Sequence, residues 1–121
     1  MRKASTDILS AENRILLEEM SIDYYVLHNS KANELAFASD SHRNREFEVR
    51  FMSDCSYRIT TRFLGYKRVM EKYTGMIEKI KDQDGRRYSF KTFVFDEEIL
   101  NDLIIMMLKE GYDPNPKTET I

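Results

Sequence analysis

Apolar residues recur along this chain with two different periods. Over residues 7–20 the apolar positions Ile8, Ala11, Ile15 and Leu16, with Leu9 and Met20 beside them, trace one face of a helix, and Ser10 gives a weak start signal. From Ser21 the period shortens. Residues 23–28 are rich in strand formers, residues 29–33 read as a turn, and residues 34–38 as the returning strand. Residues 39–44 form a polar loop. Residues 46–51 then alternate with strict period two, which predicts a half-buried strand with Phe47, Val49 and Phe51 facing inward. A turn is expected at residues 53–56. Residues 57–63 alternate again, as a fourth strand or as the start of a helix.

Beyond Gly65 the pattern supports two arrangements. Tyr66, Val69, Met70, Tyr73, Met76, Ile77 and Ile80 fit one face of a single long helix. Alternatively Gly75 ends a short helix, residues 76–81 form a strand, Asp82-Gln83-Asp84-Gly85 a tight turn, and residues 86–95 the returning strand. The Asp-Gly turn favours the second arrangement. The last helix is the clearest element: Asp96 is a natural N-cap, Glu97 and Glu98 suit the positive helix start, and Gly111 follows the end. Both prolines, Pro114 and Pro116, lie beyond it. These elements predict one α+β domain over residues 1–112. It holds an antiparallel sheet of four to six strands, an N-terminal and a C-terminal helix, and one helix within 65–80. Residues 113–121 are expected to be a mobile tail.

Charge changes this picture more than composition does. The chain of 121 residues has a formal net charge of −2, yet residues 42–91 hold thirteen Lys/Arg against seven Asp/Glu. The flanking blocks are acidic, with four against seven before and two against seven after. A basic middle between acidic ends bears on partners, not on fold. Single Cys55 excludes an intrachain disulfide, the first residues lack the apolar stretch of a secretory signal, and the longest apolar run is the six residues 103–108. A membrane span needs about 20. A cytoplasmic location is the expectation.

Few residue patterns carry chemistry. His28, His42 and Cys55 are too few for a zinc site, and nothing orients a Cys55–His28 nucleophile pair. Asp82-Gln83-Asp84-Gly85 lacks the third acidic ligand of a calcium loop and has Phe93 at its twelfth position. Asp96-Glu97-Glu98 is explained by helix capping. No metal, cofactor or small-molecule substrate is inferred, and no enzymatic activity is expected.

The stretch Gly75-Met76-Ile77-Glu78-Lys79-Ile80-Lys81-Asp82-Gln83-Asp84-Gly85-Arg86-Arg87-Tyr88-Ser89-Phe90 resembles the wing of winged-helix DNA-binding domains. There a recognition helix ends at Gly, an apolar strand follows, and a charged turn leads into a strand opening with Arg-Arg-Tyr or similar. The resemblance covers residues 65–95 only. It implies a recognition helix over 66–73 that offers Lys67, Arg68 and Lys72 to DNA, with Arg86 and Arg87 reaching phosphate or the minor groove. The chain departs from the pattern upstream, where Ile59-Thr60-Thr61 is strand-like and residues 23–51 have no place in a minimal winged helix.

Two functions follow as expectations. One is a small regulatory protein, of the inhibitor or adaptor type common among phage proteins, that docks on a larger protein partner or self-associates. Its face would be the C-terminal helix, apolar on more than one side, through Leu103, Ile104, Met106 and Met107. The other is a nucleic-acid-binding regulator whose phosphate contacts are Arg58, Arg62, Lys67, Arg68, Lys72, Arg86 and Arg87.

Overall fold

The computed structural model describes residues 2–27, 33–42 and 45–121. Most of the turn expected at 29–33, with Arg43 and Asn44 of the polar loop, lies outside the described residues. A 3-10 turn, Thr6–Ile8, precedes helix α1 (Ala11–Glu19), whose start is capped by Ser10 Oγ accepting from the Asn13 N–H at 3.2 Å. Four strands follow: β1 (Ile22–Val26), β2 (Glu34–Ser39), β3 (Phe47–Phe51) and β4 (Tyr57–Thr61). Helix α2 (Leu64–Thr74) leads to strands β5 (Glu78–Lys81) and β6 (Tyr88–Val94), and helix α3 (Glu97–Met106) runs into a wide π-helical turn, Met107–Gly111. Of the two arrangements beyond Gly65, the chain takes the second. Gly75 adopts φ 72° at the end of α2, where a residue with a Cβ would be strained.

The strands form one antiparallel sheet in the order β1-β2-β3-β4-β6-β5. Period two decides its two faces. Leu35 and Phe37, Phe47, Val49 and Phe51, Tyr57 and Ile59, and Val94 point to one side, where they join Leu17 of α1, Tyr66, Val69 and Met70 of α2 and Leu100, Leu103 and Ile104 of α3 in a single core. Each large side chain removed from water there contributes about 1.5–3 kcal/mol. The other face carries no helix among the described residues.

Two features lock the helices together. Asn101 on α3 accepts from the Ser10 N–H at 2.8 Å and from Asn13 Nδ2 at 2.9 Å, and donates to the carbonyls of Ile8 and Glu97, both at 2.9 Å. This buried amide pair ties the start of α1 to α3. At the far end of α3, Gly111 crosses Gly65 at the start of α2 so closely that a Cβ on Gly65 would sit 2.1 Å from the Gly111 carbonyl oxygen. Only two glycines permit that crossing.

The tail is not the mobile extension that its prolines suggest. The Lys117 and Glu119 carbonyls accept from the N–H groups of Leu64 and Tyr88, both at 2.9 Å, and the Ile121 N–H donates to Arg86 at 3.0 Å. Thr120 bridges Arg87, and Lys79 reaches the Glu119 carboxylate at 2.8 Å. Pro114 and Pro116 supply no donor, and the tail binds through the residues after them, as an extended segment against the start of β6.

Candidate functional site

The sheet's open face is built by the alternate residues of its strands. Register sets Glu34, Arg50, Arg58 and Phe93 in one row across β2, β3, β4 and β6. The next row holds Tyr25, Ala36, Glu48, Thr60, Lys91 and Glu78. Arg50 and Arg58 are therefore directly opposed like charges, and Lys91 lies diagonally across from Arg58, a separation of roughly 7–8 Å between such positions. The face is concave over β3, β4, β6 and β5 and encloses about 720 Å³, with Arg50, Arg58, Thr60, Arg62 and Lys91 among the lining residues.

The cations at the rim are satisfied and those at the centre are not. Arg50 donates from Nε and Nη2 to one oxygen of Glu34, at 2.7 and 2.6 Å. Arg45 pairs with Glu48 at 3.2 Å, and Arg62 pairs with Asp82. Arg58 and Lys91 have no carboxylate within ion-pair distance among the described residues, and Arg58 Nε is buried without a hydrogen-bond partner. Burial, then the charge of Arg50, lowers the Arg58 pKa from its ordinary value. Burial, then the charge of Arg58, lowers that of Lys91. Glu34, Glu78 and Glu48 oppose the effect on Arg58, and Glu78 and Glu34 that on Lys91, without reversing either. The centre of this face is thus a spot where positive charge is held at a cost and an anion would relieve it.

The residues expected to contact nucleic acid divide among three places. Arg58 and Arg62 line the open face. Lys67, Arg68 and Lys72 ride on α2, which packs on the opposite side of the sheet; Lys67 pairs with Glu71 at 3.3 Å and lies 5.7 Å from the centre of the Phe90 ring, while Arg68 and Lys72 are exposed. Arg86 and Arg87 stand at the β5–β6 turn, where Arg87 meets the tail. No unbroken stripe joins all seven. The helix–glycine–strand–turn–strand order of the wing resemblance is present over residues 64–94, but β6 is paired to β4 through five residues, so the hairpin is one edge of a six-stranded sheet.

The apolar excess of the last helix has an intramolecular explanation. Leu103, Ile104 and Met107 are fully buried and Met106 is half-buried against the core, so they do not present the docking face expected of them. Leu100, Leu103 and Ile104 are covered because α1, α2 and β6 each pack on α3, while Ile99 stays exposed at its start.

Sequence reasoning passed over a second cluster. Glu46, which strict alternation would place on the open face, precedes β3 and turns to the helix side with no exposure. Its carboxylate accepts from Tyr66 Oη at 2.8 Å and Ser39 Oγ at 3.2 Å, and pairs with His42 Nδ1. Thr61 Oγ1 donates to its backbone carbonyl at 2.9 Å. Burial, then the Glu46 charge, pushes the Tyr66 hydroxyl far above the ordinary tyrosine value of 10.0. No spacing rule links residues 39, 42, 46 and 66. Among the described residues no three His, Cys, Asp or Glu side chains converge as a metal-ligand set, and none of the helices is long and apolar enough to cross a membrane.

Comparison with protein families, with characterised proteins and with solved structures finds no match to this chain.

Proposed function

We propose that this protein is a non-enzymatic binding module that docks on a larger protein by taking an acidic segment of that partner into the open face of its sheet. The observation that carries this reading is the Arg58–Lys91 pair: two adjacent cations, neither in a salt bridge among the described residues, one with a buried unsatisfied Nε. Carboxylates bind such a spot through charge-assisted hydrogen bonds, and Arg58 offers a planar fork for one of them. Thr60, between the two cations in the sheet, adds a hydroxyl donor.

A protein ligand is favoured over nucleic acid by what surrounds the pair. Glu34 and Glu48 flank it on one side and Glu78 on the other. A continuous polyanion crossing the groove would run along those carboxylates, whereas one or two acidic side chains fit between them. Phe93, the aromatic opposite Arg58, is half-buried and offers little free ring face for base stacking.

The test is a titration of the 15N-labelled protein, followed by backbone amide shifts, with an acidic peptide such as hexaglutamate and separately with mixed-sequence single-stranded DNA. Saturable shifts on β3, β4 and β6 with the peptide, weakened by salt and lost in Arg58→Met/Lys91→Met, support the reading. Tighter binding of DNA, centred on α2 and the β5–β6 turn, overturns it in favour of a nucleic-acid regulator. No response to either ligand also overturns it.

A further inference from the structure

A second site lies on the helix side of the sheet, beneath the tail. Ser41, His42, Phe63, Arg87, Asn115 and Thr118 line a cavity of about 430 Å³ there. His42 is its most constrained wall. The side chain is 4 % exposed, its Nδ1 is held by the fully buried Glu46, and its ring packs edge-on to Phe63 at 5.4 Å and stacks on Tyr112 at 5.7 Å. Glu46 is itself held by Tyr66 and Ser39, which sets the position of the acceptor for Nδ1. This leaves Nε2, which is buried and has no hydrogen-bond partner. A buried ring nitrogen without a partner is rare in folded proteins, because its desolvation is uncompensated.

Two further features give the cavity a sign. Arg87 lines it, and its guanidinium forms no salt bridge with any described residue. Phe63, on the wall, is the residue at which the 11-residue helix α2 begins; no side chain caps that start, and the Leu64 N–H is met only by the Lys117 carbonyl of the tail. The positive end of a helix dipole therefore adjoins the same space. The cavity combines a fixed imidazole nitrogen, an unpaired guanidinium and a helix start, with Asn115 and the hydroxyls of Ser41 and Thr118 as neutral donors.

We propose that this cavity binds a small oxyanion, a phosphate or carboxylate group, held between His42 Nε2 and Arg87. The ligand would bridge the β2–β3 loop and the tail, and so fasten residues 113–118 to the body of the protein. The proposal is independent of the sheet face, which opens on the other side.

The test reads the imidazole nitrogens directly, by long-range 1H–15N correlation on the full chain at constant ionic strength. Inorganic phosphate and acetate are the two probes, and His28 is the internal reference. A saturable shift of His42 Nε2 is expected, weakened at least about tenfold in Arg87→Met, whose fold is checked by its backbone spectrum. Arg58→Met should leave the response unchanged. Saturation by one probe alone identifies the group as phosphoryl or carboxylate. A Nε2 resonance that neither anion shifts saturably overturns the proposal, because the cavity then holds only water. A shift that is the same in Arg87→Met, or a response confined to β3, β4 and β6, overturns it as well.

Discussion

Glu46 is fully buried and Arg58 half-buried against the same sheet, and the chain treats the two charges in opposite ways. Around Glu46 it supplies partners: Tyr66 and Ser39 donate, and His42 pairs, its own ring packed against Phe63. Around Arg58 it supplies another cation on either side and leaves Nε unmatched. A completed set is how a buried charge is made tolerable within a fold. An unfinished set is a standing electrostatic cost, and such sites cluster where a protein meets a ligand. On the proposed reading, the difference separates structural charge from charge held ready for a partner.

Substitutions sharpen this contrast. The largest effect is expected where a charge is placed with no arrangement to receive it. Leu103→Lys puts an ammonium into the centre of the core, and its desolvation with no partner is worth several kcal/mol, a large share of a small domain's stability. Circular dichroism should show loss of the cooperative fold. A folded, stable Leu103→Lys monomer would return α3 to the surface as a docking face. Next comes Glu46→Ala, which leaves His42 Nδ1, Tyr66 Oη and Ser39 Oγ buried without an acceptor. We expect a loss of about 3–5 kcal/mol in urea unfolding, as for one broken partner of a buried pair.

Alkaline pH probes the same cluster more gently. Tyr66 has its pKa raised in the fold above the ordinary 10.0, so its neutral form is favoured by folding. That contribution is fully present below the unfolded pKa and is lost as pH rises beyond it. The urea midpoint should therefore fall above about pH 10. Tyr66→Phe should start about 1–3 kcal/mol less stable and lose less over the same range, for want of the hydroxyl. Equal pH slopes in the two proteins would remove Tyr66 as the cause. The smallest effect belongs to the open face: Arg58→Met should leave stability within about 0.5 kcal/mol or raise it, since no ion pair is broken and the Arg50 repulsion is removed.

Much of the fold is legible in the chain because local rules act there without competition. Phe47, Val49 and Phe51 point inward as their alternation requires, and Asp96 caps α3 through hydrogen bonds of 2.8 and 3.2 Å to Glu98 and Ile99. Asp82 to Gly85 closes a turn, with Gly85 at φ 69°. Misreadings arise where tertiary partners override local pattern. Glu46 leaves the strand period because a pocket of donors awaits it on the helix side. The tail is ordered by backbone hydrogen bonds that leave no mark in composition. The apolar surplus of residues 103–107 reads the same whether its cover is another molecule or three neighbouring elements of this one.

The candidate site was half legible. Arg58 and Arg62, named from the sequence, are an even number of residues apart, and the structure brings both to the groove that Arg50 also lines. Lys91 joins them only because β6 pairs with β4, across the whole of α2 and β5 in sequence. Which of these cations lacks a partner depends on Glu34 and Asp82, both distant along the chain.

The most direct test is to measure stability and peptide binding on one variant, Arg58→Met/Lys91→Met, by urea unfolding and by titration with hexaglutamate. The account predicts unchanged or raised stability together with loss of the salt-sensitive binding shown by the unaltered protein. A clear loss of stability, with peptide binding unaffected or absent in both proteins, would show that these two cations serve the fold and that the open face is not the docking surface.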